Sequence, residues 1–399
     1  MSDILIRVLI VEHAPEAQEL LMRILESDPE IRVLGIVASA SEALKFIART
    51  KPDLITVDLE LPGTEGLSFT REVMEKHPIP IVVVGSTDEN TDTKIAFDLL
   101  EAGALATVER PVKFTNNVNE SERCLIETIK TMAEIKLVRR IRRGQSGQSG
   151  QSPSGSRTNG VKANGIAASG VGINANGIST NGIGANGVSM NGINTNGLNA
   201  HGLKSDIDKP PIELVAIGAS TGGPSVLQMI LKGLPHDFPC PILIAQHIAP
   251  GFTNALVDWL ATTTGFTVKI CDNNDKLMPG IAYVCPEAFQ TGLSPSLRVK
   301  LATEDCVHGV RPSVSYLFSS IAEIPGRRIA AVLLTGMGRD GAEELKILRD
   351  RGGVTIVQDA ESSLVHGMPG EAIKLGAAQH VLPAMRISEL LIELACRGK

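Results

Sequence analysis

The sequence predicts an α/β protein with two doubly wound parallel-sheet domains, one at each end of the chain. Three observations carry this. Short β-rich apolar runs alternate with helical-period segments from Ile4 to about Met132, the composition changes completely from Gly144 to about Lys209, and the alternation resumes from Ile212 to the end. A chain of 399 residues has room for two or three domains. The implied division is 1–143, 144–209 and 210–399.

In the first segment the strand-like runs are ILIRVLIV, IRVLGIVA, DLITVDLEL, PIVVVGS and ALATVE. Between them lie EAQELLMRILES, SEALKFIART, GLSFTREVMEK and TKIAFDLLEAG, with apolar residues at helical spacing. NNVNESERCLIETIKTMAEIKLVRRIRR then reads as a long closing helix that ends in a basic run.

The middle segment opens with GQSGQSGQSPSGSR and continues as a near-pentapeptide repeat, NGVKA, NGIAA, NGIST, NGIGA, NGVSM, NGINT, NGLNA. One aliphatic residue per unit gives too little apolar surface to offset the entropy lost on ordering so much glycine. A flexible tether is the expectation, with a small solenoid or self-associating segment as the alternative. In the third segment ELVAIG, CPILIA, FTVKI, IAYVC, LRVKLA, IAAVLL and GVTIVQD read as strands, with helices such as SVLQMILKG and AEELKILRD between them.

Composition excludes several functions. Lys and Arg number 38 against 44 Asp and Glu, for a net charge of −6, and aromatic residues make up 3%. There is no global pull toward phosphate backbones and there are few rings for base stacking, so nucleic acid is not an expected partner. No apolar run approaches the ~20 residues of a membrane span, and MSDILIRVLIVEH lacks signal-peptide character. A cytoplasmic protein without membrane insertion is expected. The six cysteines are scattered without a CxxC pair, which indicates neither a disulfide framework nor a zinc site.

The richest local signal is Val215-Ala-Ile-Gly218-Ala219-Ser220-Thr221-Gly222-Gly223-Pro224, a strand running into a small-residue turn and a helix that begins near Pro224. It has the form G-x-S-x-G, which holds a serine hydroxyl beside free backbone N–H groups at a helix start. A Gly-rich turn that only packs helix on strand is the competing reading. Serine needs a base, and the domain offers His236, His247, His308, His366 and His380. His247 follows the apolar run 241–246, at the sheet edge where Ser220 should lie if the two strands are neighbours. The alternative for His247 is a capping or core histidine. A third member must orient the imidazole, and Asp340 in LLTGMGRDGA stands after another strand. Asp340 is equally placed to cap the helix AEELKILRD.

GASTGGP, the QH after an apolar strand, LLTGMGRDGA and QDAESSLVHGMPGEAI together resemble the chemotaxis protein-glutamate methylesterases of the CheB type, over essentially all of 212–399. The resemblance implies hydrolysis of glutamyl methyl esters on the cytoplasmic helices of methyl-accepting chemoreceptors, with release of methanol, and deamidation of particular glutamines. It implies a triad of Ser220, His247 and Asp340, oxyanion donors in the backbone of Thr221 and Met337, and no cofactor for the esterase. Where the family commonly reads H-R-P-S-V-D this chain has Val310 and Ser315 at the ends of the hexapeptide, which bears on substrate fit. IGASTGG also looks like the cofactor loop of NAD(P)-dependent short-chain dehydrogenases. Tyr283 and Tyr316 are followed four positions on by Glu287 and Ser320, so that family's Tyr-x-x-x-Lys pair is absent.

In the first domain Asp58 ends the run DLITVD and resembles the phospho-acceptor of flavodoxin-like response-regulator receiver domains. That family usually carries two acidic residues after its first strand, the second ligating magnesium; here they are Glu12 and His13. Its Lys before a proline is Arg110, and its switch hydroxyl falls on Gly85 unless Ser86 has taken over by a one-residue shift. Asp58 and Glu12 remain as candidate Mg²⁺ ligands, although magnesium prefers oxygen to imidazole. The resemblance implies phosphorylation by a chemotaxis histidine kinase and a receiver that covers the Ser220 cleft until phosphorylated. The altered neighbours leave open a receiver locked as a docking module. A catalytically silent scaffold docked on receptors is the remaining alternative, and the intact Ser220, His247 and Asp340 set argues against it.

Overall fold

The computed structural model describes residues 5–62, 65–85, 90–111, 118–135, 210–248 and 251–396. The expected tether at 144–209 lies outside the described residues, as does the basic run after Ile135.

The first half alternates β1 (Ile6–Val11), α1 (Pro15–Leu25), β2 (Ile31–Val37), α2 (Ala40–Ile47), β3 (Leu54–Asp58), α3 (Glu65–Lys76), β4 (Ile81–Gly85), α4 (Asn90–Ala102), β5 (Ala106–Glu109) and α5 (Val118–Ala133). The strands form one parallel sheet in the order β2-β1-β3-β4-β5. The apolar runs are continuous because both faces are covered. In β4, Ile81 and Val83 enter one buried cluster, and Val82 and Val84 enter the cluster on the opposite face. The sheet order reverses between β1 and β3, so the carboxyl ends of these strands, with Glu12 and Asp58, form the crevice where such sheets bind ligands.

The second half runs β6 (Leu214–Ala219), α6 (Gly223–Gly233), β7 (Ile242–Gln246), α7 (Thr253–Thr264), β8 (Thr267–Ile270), β9 (Ile281–Val284), β10 (Gln290–Leu293), β11 (Val299–Ala302), α8 (Val314–Ala322), β12 (Ile329–Leu333), α9 (Ala342–Asp350), β13 (Val354–Gln358), α10 (Met368–Lys374), β14 (His380–Leu382) and α11 (Ala384–Ala395). Seven strands pair in the order β14-β13-β12-β6-β7-β9-β8, all parallel. The run LRVKLA departs from the expectation of a single sheet. Its β11 pairs antiparallel with β10 as a separate two-stranded ribbon, with Val299 buried and Lys300 exposed.

Both halves belong to one compact unit. Phe97 of α4 stacks on Trp259 of α7 with ring centroids 5.4 Å apart, a spacing at which aromatic pairs attract beyond their area burial. From α5, the Thr131 hydroxyl points at Met337 Sδ, 3.8 Å away. Among the described residues no helix is long and apolar enough to cross a membrane.

Candidate active site

β6 is the centre of the second sheet, between β12 and β7, and Ser220 is the first residue beyond it. The register that pairs Ala219 with Gln246 sets Ser220 abreast of His247, and the His247 N–H donates to Ala219 O at 2.9 Å. The next residues turn through Gly222, in the left-handed region at φ 79°, into α6, which carries a proline in its first turn. Gly223 N donates to Ser220 O at 2.8 Å, closing that turn.

His247 is the histidine joined to Asp340, its Nε2 lying 2.8 Å from Asp340 Oδ2. With Nε2 engaged there, Nδ1 is the ring nitrogen left for Ser220. Asp340 does not cap the helix that follows it, because the N-cap of α9 is Gly341. Its carboxylate instead faces the start of α8. Oδ1 accepts from Ser313 Oγ at 2.8 Å and Ser315 N at 3.0 Å, and Oδ2 accepts from Val314 N at 2.6 Å. Burial pushes this carboxyl up, but the His247 hydrogen bond and charge, with the Ser313 and Ser315 donors, pull it down to about 2.

The third side of the site is the loop after β12. Ser220 N donates to Thr335 O at 3.0 Å, and a Cβ placed on Gly336 would lie 2.6 Å from that of Ser220. Only glycine lets the loop come so close. The motif QDAESSLVHGMPGEAI braces it. Gln358 Oε1 accepts from Thr335 N at 2.8 Å, and Gly336 N donates to Val365 O and Met368 N to Gly336 O, each at 2.9 Å. Among the described residues no acceptor satisfies the Thr221 or Met337 N–H, the two expected oxyanion donors.

Several supporting residues are not singled out by sequence reasoning. Gln246 Nε2 donates to Ser220 O at 2.9 Å and to His247 O at 2.7 Å, tying the two residues together through their backbones. Ser315, expected to bear on substrate fit, is buried behind Asp340, where its hydroxyl donates to Glu344 Oε2 at 2.6 Å and accepts from Gly341 N at 2.8 Å. The departure from the family pattern therefore touches the support of the Asp340 carboxylate. A signal for Ser313 exists in the sequence, since a serine directly before an apolar run is an N-cap signature, and Ser313 does accept from Tyr316 N.

At the crevice of the first sheet, Glu12, His13, Asp58 and Arg110 come together. Asp58 Oδ1 accepts from Arg110 Nη2 at 2.5 Å and from Glu60 N at 3.0 Å, while Oδ2 lies 2.5 Å from His13 Nδ1. The same Arg110 Nη2 is 3.2 Å from Glu12 Oε2. Ligand atoms of Glu12, His13 and Asp58 lie within 4.8 Å of one another. Magnesium does not fit this arrangement, because it favours an all-oxygen octahedral shell and one of the three donors is an imidazole. One oxygen of each of the other two, Glu12 Oε2 and Asp58 Oδ1, already accepts from Arg110. Ser86 lies outside the described residues.

Burial raises the Glu12 carboxyl to about 7 from 4.5, against the Ala14 N–H and Arg110, which lower it, and with Asp58, which adds to the rise. Between those two values the folded state holds a proton that the unfolded chain has lost. Stability is therefore expected to fall as pH rises from 4.5 to about 7, by on the order of 3 kcal/mol. Urea melts of wild type and Glu12→Gln across that range check this. The variant should lack the slope, and parallel slopes would refute it.

Residues 215–391 match the family described as CheB methylesterase, and residues 8–120 match the response regulator receiver domain. A protein-glutamate methylesterase/protein-glutamine glutaminase of Syntrophus aciditrophicus is 39% identical over 98% of this chain and 99% of its own. The chain belongs to the CheB methylesterase family. A relative of the same name from Geobacter metallireducens is likewise 39% identical, with 98% and 99% coverage. The CheB methylesterase catalytic domain of Thermotoga maritima is 41% identical, covering 46% of this chain and 99% of that one, with a TM-score of 0.45.

Proposed function

We propose that the chain hydrolyses glutamyl methyl esters on chemoreceptors through Ser220, His247 and Asp340, and deamidates receptor glutamines by the same route. The observation that carries this is the His247–Asp340 pair at 2.8 Å, set abreast of Ser220. Ser220 Oγ attacks the γ-carbonyl carbon while His247 Nδ1 takes its proton. The oxyanion is met by the N–H groups of Thr221 and Met337. His247 then protonates the departing methoxide, or the amide nitrogen of glutamine so that it leaves as ammonia. It next takes a proton from the water that attacks the acyl-serine, and returns it to Ser220 Oγ as the glutamate carboxyl is released. Asp340 stays ionised and stabilises the imidazolium. No cofactor enters any step.

The first half is read as a docking domain that acts on this site through the contact of Thr131 with Met337. Control by a chemotaxis histidine kinase requires Asp58 to accept a phosphoryl group, and the surroundings of Asp58 oppose it. Because receptor methylation sites lie on cytoplasmic helices, the reading places the chain in the cytoplasm.

The test is methanol release from methylated receptor before and after treatment with a serine-directed phosphonofluoridate, with peptide mapping of the adduct. Release should stop in proportion to labelling of Ser220. Undiminished release from fully labelled protein, or no release from untreated protein, would sink the assignment.

A further inference from the structure

We propose that Arg110 and His13 take the place of the divalent cation in the receiver crevice. Asp58 is then a fixed structural anion, and the first half is a docking domain whose state does not depend on Mg²⁺ or a phosphodonor.

The first obstacle to phosphorylation is occupancy. To attack phosphorus, a carboxylate must present a free oxygen in line with the leaving group. Both Asp58 oxygens are engaged, Oδ1 by Arg110 and the Glu60 N–H, Oδ2 by His13 at 2.5 Å.

Charge is the second. The usual receiver sets three carboxylates against one lysine, leaving two negative charges for a dication to balance. Here the two carboxylates wholly shielded from solvent, Glu12 and Asp58, share one guanidinium, the more exposed Glu60 carboxylate lies 3.9 Å from its Nη1, and His13 Nδ1 sits on Asp58. A guanidinium is permanently charged and planar, so one Nη2 can bridge Asp58 and Glu12 where a lysine would be a single point charge. Among the shielded groups no deficit the size of a dication remains, and displacing Arg110 would strand its charge beside the metal.

The third is the readout. A phosphoryl group on Asp58 draws in a hydroxyl at the end of β4, and position 85, where the family pattern places that hydroxyl, cannot carry one. A Cβ on Gly85 would sit 2.4 Å from Leu59 Cβ and 2.8 Å from its Cδ2. Leu59 is itself buried directly after the acceptor, so the glycine is tied to the packing of the acceptor strand.

The test uses the full chain, with Mg²⁺ titrated calorimetrically and radiolabelled acetyl phosphate as phosphodonor. Wild type should show no Asp58-dependent Mg²⁺ binding and no label at Asp58. The double variant His13→Asp with Arg110→Lys should gain Mg²⁺ affinity by about tenfold or more. Label on wild type that disappears in Asp58→Asn overturns the proposal. So does Mg²⁺ binding by wild type that disappears in Asp58→Asn, or a folded double variant that gains no Mg²⁺ affinity. None of these readouts involves ester hydrolysis, so they stand apart from the fate of the triad assignment.

Discussion

Ser220→Ala is expected to lower methanol release about 10⁶-fold while leaving the fold intact. The fold survives because Ser220 contributes its backbone to the structure. Its N–H donates to Thr335, and its carbonyl accepts from Gly223 N and Gln246 Nε2. None of these bonds uses the hydroxyl, so a urea melt of the variant should superimpose on that of wild type within about 0.5 kcal/mol. The kinetic loss is large because, in the proposed mechanism, the hydroxyl is the only group that becomes covalently attached to the substrate. In that mechanism what survives is positioning by Thr221 and Met337 and the binding of the receptor. Members of a triad act as a unit, so adding His247→Ala should cost almost nothing further. Gas-chromatographic methanol assays on the single and double variants check both statements, and an additive loss in the double variant would show that His247 works on something other than Ser220.

Much of the site is legible in sequence because it lies at strand ends. Continuous apolar runs such as VAIGA and PILIAQ announce strands buried on both faces, and the residues after them fall at one sheet edge. That logic finds Ser220 and His247. It also brings Glu12 and Asp58 together, since β1 and β3 are neighbours. It fails where the signal is short or polar. β10 is QTGL and β14 only three residues, too brief to show a period, and β11 reads like its parallel neighbours although it leaves the main sheet.

The donors to Asp340 are less legible for a different reason. They come from the first turn of α8, 25 to 27 residues upstream, and no local pattern links a helix start to a carboxylate in a later loop. The receiver crevice shows a third kind of limit. Substitution of lysine by Arg110 reads as conservative in charge, and loss of the switch hydroxyl at Gly85 reads as a gap. Only the geometry shows the guanidinium spanning two carboxylates and Leu59 filling the space over Gly85.

Asp340→Asn is expected to reduce turnover about 10⁴-fold, and unlike the serine change it should also cost stability. A carboxylate offers two acceptor oxygens, and here both are used twice, by Ser313 and Ser315 on Oδ1 and by Val314 and His247 on Oδ2. Asparagine keeps one acceptor and presents an NH₂ on the other side. Turned one way, that NH₂ meets Val314 N–H and forces His247 into the wrong tautomer. Turned the other way, it meets Ser315 N–H. Either orientation leaves a buried backbone donor unpaired, at a cost of about 1–3 kcal/mol. The pH dependence separates this from a general packing defect. Asp340 is held at about 2 against an ordinary 3.8. A carboxyl lowered on folding contributes fully above its unfolded value and loses that contribution as pH falls through its folded one. The advantage of wild type over the variant in urea melts should therefore be constant above pH 4 and shrink between pH 4 and pH 2, by about 2.5 kcal/mol at most. A gap that stays constant into acid would mean that Asp340 is not the anion these donors and His247 hold, and wild-type turnover in Asp340→Asn would remove it from the triad.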